Sequence, residues 1–185
     1  MDARSHPIAA TAEEDTTDAL LLWVLVWSEL AAFGILLVGF LIVGLLQPDA
    51  FAAARSHLDP LLAGINTLVL LTSGWQAALA TRPRASLEQC RRALMTAAFF
   101  GFAFAAIKLF EYSAEAGVAG DPRFGSFFEL YFLVTGFHLL HVVFGAFVLV
   151  IVAWRPKPGN VALITTLWHV IDLVWIVMFP LVYLV

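Results

Sequence analysis

The sequence predicts an all-α, polytopic membrane protein built as a bundle of five transmembrane helices. Two observations carry that reading. Of its 185 residues, 62% are hydrophobic and 13% charged, with 16 Phe and 6 Trp, more apolar surface than a soluble domain of this length could cover. The apolar residues also fall into five runs of 20 or more, and roughly 20 residues at 1.5 Å each cross about 30 Å of hydrocarbon. A net charge of −4, with the basic residues scattered through short loops, gives no nucleic-acid signal.

Taken in order, residues 1–19 read as a disordered polar tail, acidic through Asp2, Glu13, Glu14, Asp15 and Asp18 against Arg4. It has neither the basic start nor the small-residue cleavage site of a signal peptide. The membrane domain follows over 20–185, with helices expected near 20–46, 60–80, 92–112, 126–154 and 161–185. Gln47-Pro48-Asp49, Arg82-Pro83-Arg84, Gly120-Asp121-Pro122-Arg123 and Arg155-Pro156-Lys157-Pro158-Gly159-Asn160 punctuate them. The second span holds Asn66, Thr67, Thr72, Ser73 and Gln76, which suits a helix buried among its neighbours. Ala93, Ala97, Gly101 and Ala105 recur every four residues on the third, a small-residue stripe that lets another helix approach closely. Pro180 frees the carbonyl of Ile176 and is expected to kink the last helix. The single cysteine, Cys90, excludes an internal disulfide.

The basic residues set an orientation. The tail and the loops after the second and fourth spans hold seven (Arg4, Arg82, Arg84, Arg91, Arg92, Arg155, Lys157), against Arg55 and Arg123 on the other side. The positive-inside bias therefore puts the N-terminus in the cytoplasm and the C-terminus in the periplasm.

Ionisable groups inside the spans are costly and mark the places to look for function. Glu29 lies roughly 13 Å along the first helix and reads either as a proton-exchanging, partner-facing group or as a neutral acid bonded to a neighbouring helix. Lys108 and Glu111, three residues apart, can pair, with Lys108 snorkelling outward. Glu129 is expected at the interface or paired with Lys108. Tyr131, Thr135, His138, His141 and Gly145 share a broad face of the fourth span. His169 and Asp172 share a face of the fifth, where the carboxylate can fix the imidazole tautomer. Three histidines and a carboxylate invite a metal site or a bis-His haem, but paired Glu-x-x-His motifs are absent. Histidines hydrogen-bonded across helices are the favoured reading, with no metal and no catalytic residue in the chain itself.

Trp27-Ser28-Glu29, Asn66-Thr67 with Thr72-Ser73, Glu111-Tyr112, Thr135-Gly136-Phe137-His138-Leu139-Leu140-His141-Val142 and Trp168-His169-Val170-Ile171-Asp172-Leu173-Val174-Trp175 together resemble subunit III of the haem–copper oxidases, in its short five-helix form. The resemblance runs from about residue 20 to 185. It implies a non-catalytic accessory subunit of a bacterial inner-membrane respiratory chain, bound to catalytic subunit I, which holds the haem and copper. It also implies phospholipid in the helix clefts, Glu29 as the buried carboxylate facing the catalytic subunit, and His138, His141, His169 and Asp172 as an internal polar network. Lys108 stands where many oxidase sequences have Gln, and Glu29 lacks the usual dense aromatic run after it. Both departures look like the NorE-type branch associated with nitric oxide reductase. A small bis-His membrane cytochrome and a small transporter are the competing readings.

Overall fold

The computed structural model describes residues 6–185, and every regular element among them is helical. In chain order these are α1 (His6–Leu46), α2 (Pro48–Arg55), α3 (Pro60–Ala80), α4 (Leu87–Glu115), α5 (Phe127–Trp154) and α6 (Pro158–Tyr183), with one 3₁₀ turn at Pro122–Phe124. Five stretches are long and apolar enough to span a membrane: Leu22–Leu46, Pro60–Ala80, Leu87–Glu115, Phe127–Trp154 and Pro158–Tyr183.

The expected disordered tail needs correction. Helix α1 begins at His6, so 6–19 are helical, and only residues 1–5, with Asp2 and Arg4, lie outside the described residues. Ala9, Ala10, Ala12, Glu13 and Glu14 are strong helix formers, and no Pro or Gly interrupts the run into the apolar span. Helix α4 likewise begins earlier than expected, because Ser86 and Gln89 form a reciprocal capping box over its first turn.

The short helix α2 was not foreseen. Pro48 sits in its first turn, and its buried face presents Phe51 and Ala54. Phe51 packs edge-on to Phe127 at 5.0 Å and against Phe40 at 5.3 Å, tying α1 to the start of α5. The turn into α5 passes through Gly125 at φ +52°, where a Cβ would also run into the Gln47 side chain, so only glycine serves. Before it, Asp121 caps the 3₁₀ turn and grips Arg123 through both carboxylate oxygens. That contact pulls the Asp121 carboxyl down to about 2.

Helices α3 to α6 form the body of the bundle: α4 lies against α3 and α5, and α6 closes against α3 and α5. Helix α1 leans on α5 and α6 through a single stripe of Val26, Phe33, Leu37 and Phe40. Trp23, Trp27, Ile35 and Leu45, on its other faces, are exposed.

The expected small-residue stripe on α4 is buried throughout, and the structure shows what it admits. The Trp168 indole of α6 lies between Gly101 of α4 and Gly145 of α5. A Cβ at Gly101 would fall 2.8 Å from Trp168 Cη2, and one at Gly145 2.9 Å from its Cζ3. Helix α3 is anchored to α4 by two side-chain bonds to backbone carbonyls: Ser73 Oγ donates to Ala97 O at 2.6 Å, and Asn66 Nδ2 to Phe104 O at 3.2 Å. Helix α6 returns the tie to α3, with Trp175 Nε1 donating to Thr67 Oγ1 at 2.9 Å.

Candidate functional site

Two polar centres lie within the bundle, and some of the sequence-selected residues fall into them: Lys108 and Glu111 into one, Glu29 and His141 into the other. The first joins α4, α5 and α6 around Lys108, which is wholly buried. All three of its N–H groups are used: Nζ is 3.0 Å from Glu111 Oε2, 2.7 Å from Tyr131 OH, and bonded to Tyr183 OH. Tyr183 OH in turn donates to Glu111 Oε1 at 2.6 Å, and Tyr131 OH to Glu115 Oε1 at 2.9 Å. Lys108 thus does not snorkel outward. One carboxylate and two phenols fill the three N–H positions of the ammonium inside the protein, with Glu115 behind Tyr131, which removes the drive toward the interface. Beside it, Thr135 donates to Tyr131 O at 2.6 Å, so its oxygen is left to accept from Tyr112 OH at 2.7 Å.

Glu129 plays no part in this centre. It is exposed on α5, pointing away from the face that carries Tyr131 and Thr135, and Lys108 is occupied by other groups. Glu115 and Tyr183 are the members that sequence reasoning missed. For Glu115 a signal existed, since Lys108, Glu111 and Glu115 stand three and then four residues apart on one helical face.

The second centre joins α1 to α5. His141 Nε2 lies 3.0 Å from Glu29 Oε2, with both side chains half-buried. His141 Nδ1 is 2.7 Å from the carbonyl oxygen of Phe137. A carbonyl can only accept, so Nδ1 carries the hydrogen. The Glu29–His141 contact is one of proximity: Glu29 Oε2 is buried and has no hydrogen-bond partner among the described residues, so the ring stands beside the carboxyl group without a directed N–H bond to it. The pair borders a cavity of about 220 Å³ between α1, α5 and α6, lined by apolar groups including Phe33, Phe144, Leu163 and Val174.

The remaining histidines do not join a common network. His138 is fully buried, but neither ring nitrogen has a hydrogen-bond partner. Its ring stacks on Trp175 at 5.1 Å and meets Phe104 and Phe33 edge-on, so aromatic neighbours take the places where cross-helix donors were expected. His169 is exposed on the outer face between α3 and α6, its side chain 45% accessible. Its Nδ1 is 3.6 Å from Asp172 Oδ2, beyond hydrogen-bond length. Asp172 is buried against Gly74, where any side chain would collide with it. The expectation of one internal network through His138, His141, His169 and Asp172 is therefore corrected. The helical period that puts His138 and His141 on one broad face of α5 still turns one inward and the other toward α1. Among the described residues no three His, Cys, Asp or Glu side chains converge as metal ligands.

The family model for cytochrome c oxidase subunit III matches residues 51–185, the part of the chain from α2 to the end. A Synechocystis protein named cytochrome c oxidase subunit 3 is 33% identical, over 85% of this chain and 71% of that protein. The cytochrome c oxidase subunit 3 of Thermostichus vulcanus is 25% identical over 100% of this chain and 96% of its own length. A haem–copper oxidase subunit I+III of Aeropyrum pernix is 27% identical over 89% of this chain and 22% of that protein. The chain spans just under half the length of several other curated relatives. Motif order, five-helix architecture and the match over most of the chain agree: this chain belongs to the cytochrome c oxidase subunit III family.

Proposed function

We propose that the chain is the non-catalytic subunit III of a haem–copper respiratory oxidoreductase, seated in a bacterial cytoplasmic membrane against catalytic subunit I. The observation that carries this reading is the family match together with the Aeropyrum pernix relative, whose name joins subunits I and III in one protein. Haem and copper belong, on this reading, to the partner. An oxygen-reducing partner is favoured over a nitric oxide reductase, because the relatives carry the name cytochrome c oxidase. The seven-to-two distribution of basic residues supports a cytoplasmic N-terminus and a periplasmic C-terminus.

The exposed face of α1, with Trp23, Trp27, Ile35 and Leu45, is the side offered to the catalytic subunit. The apolar cavity beside the Glu29–His141 pair suits a phospholipid acyl chain, which would hold α1 against α5 and α6 where direct packing is thin. Glu29 is the candidate for proton exchange, because it lies 3.0 Å from the His141 ring and both groups border the cavity.

The test is affinity purification of the tagged chain from native membranes in mild detergent. The expected result is co-elution of a larger haem-bearing subunit, with the Soret absorbance following that subunit when the complex is dissociated. A chain that elutes alone, or one that keeps a Soret band after separation, defeats the proposal; the second result would favour the cytochrome reading.

A further inference from the structure

The turn between α3 and α4 builds a cationic groove that shares no residue with the cleft beside Glu29. The Ala85 N–H donates to Arg82 O at 3.0 Å, closing a tight turn with Pro83 at its second position. On one side the turn continues from α3, with Arg82 N bonded to Leu79 O. On the other the Ser86–Gln89 capping box holds it, with Ser86 N donating to Gln89 Oε1 at 2.8 Å. Arg82 and Arg84 are therefore displayed from a fixed backbone. They border a cavity of about 470 Å³ whose walls include Gln76, Leu79, Gln89 and Arg92.

Charge is unbalanced here. Among the described residues, neither Arg82 nor Arg84 has a carboxylate within ion-pair distance. Glu88 is the one acid on the α3–α4 turn and the first turns of α4, and it is bonded to Arg92 in an exposed pair of little energetic consequence. The groove sits at the ends of two membrane-spanning helices, where headgroups lie, and Leu79 and Ala93 give it an apolar floor. Two unpaired guanidinium groups fork naturally onto phosphate oxygens. They also repel the ammonium of a zwitterionic headgroup. Basic pockets between transmembrane helices select acidic lipids for these reasons.

We propose that this groove binds the phosphate headgroup of an anionic phospholipid, with Arg82 and Arg84 as its principal ligands and its acyl chains descending along α3 and α4. The proposal requires only that the five spans cross a membrane, so it stands whichever partner the chain assembles with.

The test is native mass spectrometry of the purified full-length chain, equilibrated in mixed micelles of phosphatidylglycerol and phosphatidylcholine. Phosphatidylglycerol should be retained over phosphatidylcholine by about tenfold. The double variant Arg82→Gln/Arg84→Gln should lose that preference while keeping its helical circular dichroism, and Arg91→Gln, outside the groove, should retain it. Equal retention of the two lipids by the unaltered chain, or an undiminished preference in the double variant, would overturn the proposal. So would displacement of phosphatidylglycerol by millimolar inorganic phosphate, which would mark the groove as a site for free anions.

Discussion

Glu29 and Gly101 show how far a single side chain, or its absence, reaches in this bundle. Glu29 meets His141 across the α1–α5 contact at 3.0 Å, while the other ring nitrogen of His141 is bonded to Phe137 O. Glu29→Gln keeps the size and polarity of the side chain but removes its titratable group. We expect the complex to assemble normally while its catalytic turnover declines on a different time course; a time course identical to the unaltered complex would exclude a proton role for Glu29. At Gly101 the constraint is steric. An added Cβ falls 2.8 Å from the ring of Trp168, which is itself fixed on its other side by Gly145. Gly101→Ala should cost about 1–3 kcal/mol, as overpacking of a close-packed interior does, read as a lowered thermal midpoint in detergent. Combining it with Trp168→Leu should recover part of that loss, because the ring that clashes is gone.

At the scale of helices, the buried ammonium of Lys108 couples three elements. Glu111 and Glu115 share its helix, Tyr131 stands on α5 and Tyr183 on α6. Removing the cation alone strands two buried carboxylates. Lys108→Met should therefore destabilise the subunit by about 3–5 kcal/mol, the range for breaking a buried pair from one side. The triple variant Lys108→Met/Glu111→Gln/Glu115→Gln should regain much of that loss, since uncharged groups carry a smaller burial penalty. Thermal unfolding followed by tryptophan fluorescence separates the two variants, and equal midpoints would refute the coupling. The α3–α4 contact uses another device. Ser73 and Asn66 donate to backbone carbonyls of α4, which binds the helices without burying charge.

For the whole molecule, the outstanding quantity is orientation, and the chain carries its own probe. Cys90 is its single cysteine and lies near the start of α4, on the same end as Arg82, Arg84, Arg91 and Arg92. A cytoplasmic location predicts that a membrane-impermeant maleimide labels Cys90 in inverted vesicles and spares it in right-side-out spheroplasts. The reverse pattern would invert the topology. The bundle is also asymmetric in how its members are held. Helices α3 to α6 close on one another, whereas α1 rests on α5 and α6 by one stripe and leaves Trp23, Trp27, Ile35 and Leu45 exposed.

Fold class, the number of spans and the family were all legible in the sequence, because run length, loop punctuation and motif order are local properties of the chain. The small-residue stripe on α4 was legible for the same reason: a four-residue period survives in any helix. The pairing of Glu29 with His141 was not, nor was the isolation of His138 among Trp175, Phe104 and Phe33, or the exposure of His169. Each depends on which neighbour a helix face turns toward, and periodicity fixes the face without naming the neighbour. Lys108 makes the same point. Sequence spacing put it next to Glu111, but only the convergence of Tyr131 and Tyr183 from two other helices gave it enough partners to remain buried. The sequence by itself determined a five-span membrane subunit of known family. The tertiary structure decided which of its polar groups meet, because a buried charge is tolerated only where the packing of several helices completes its shell.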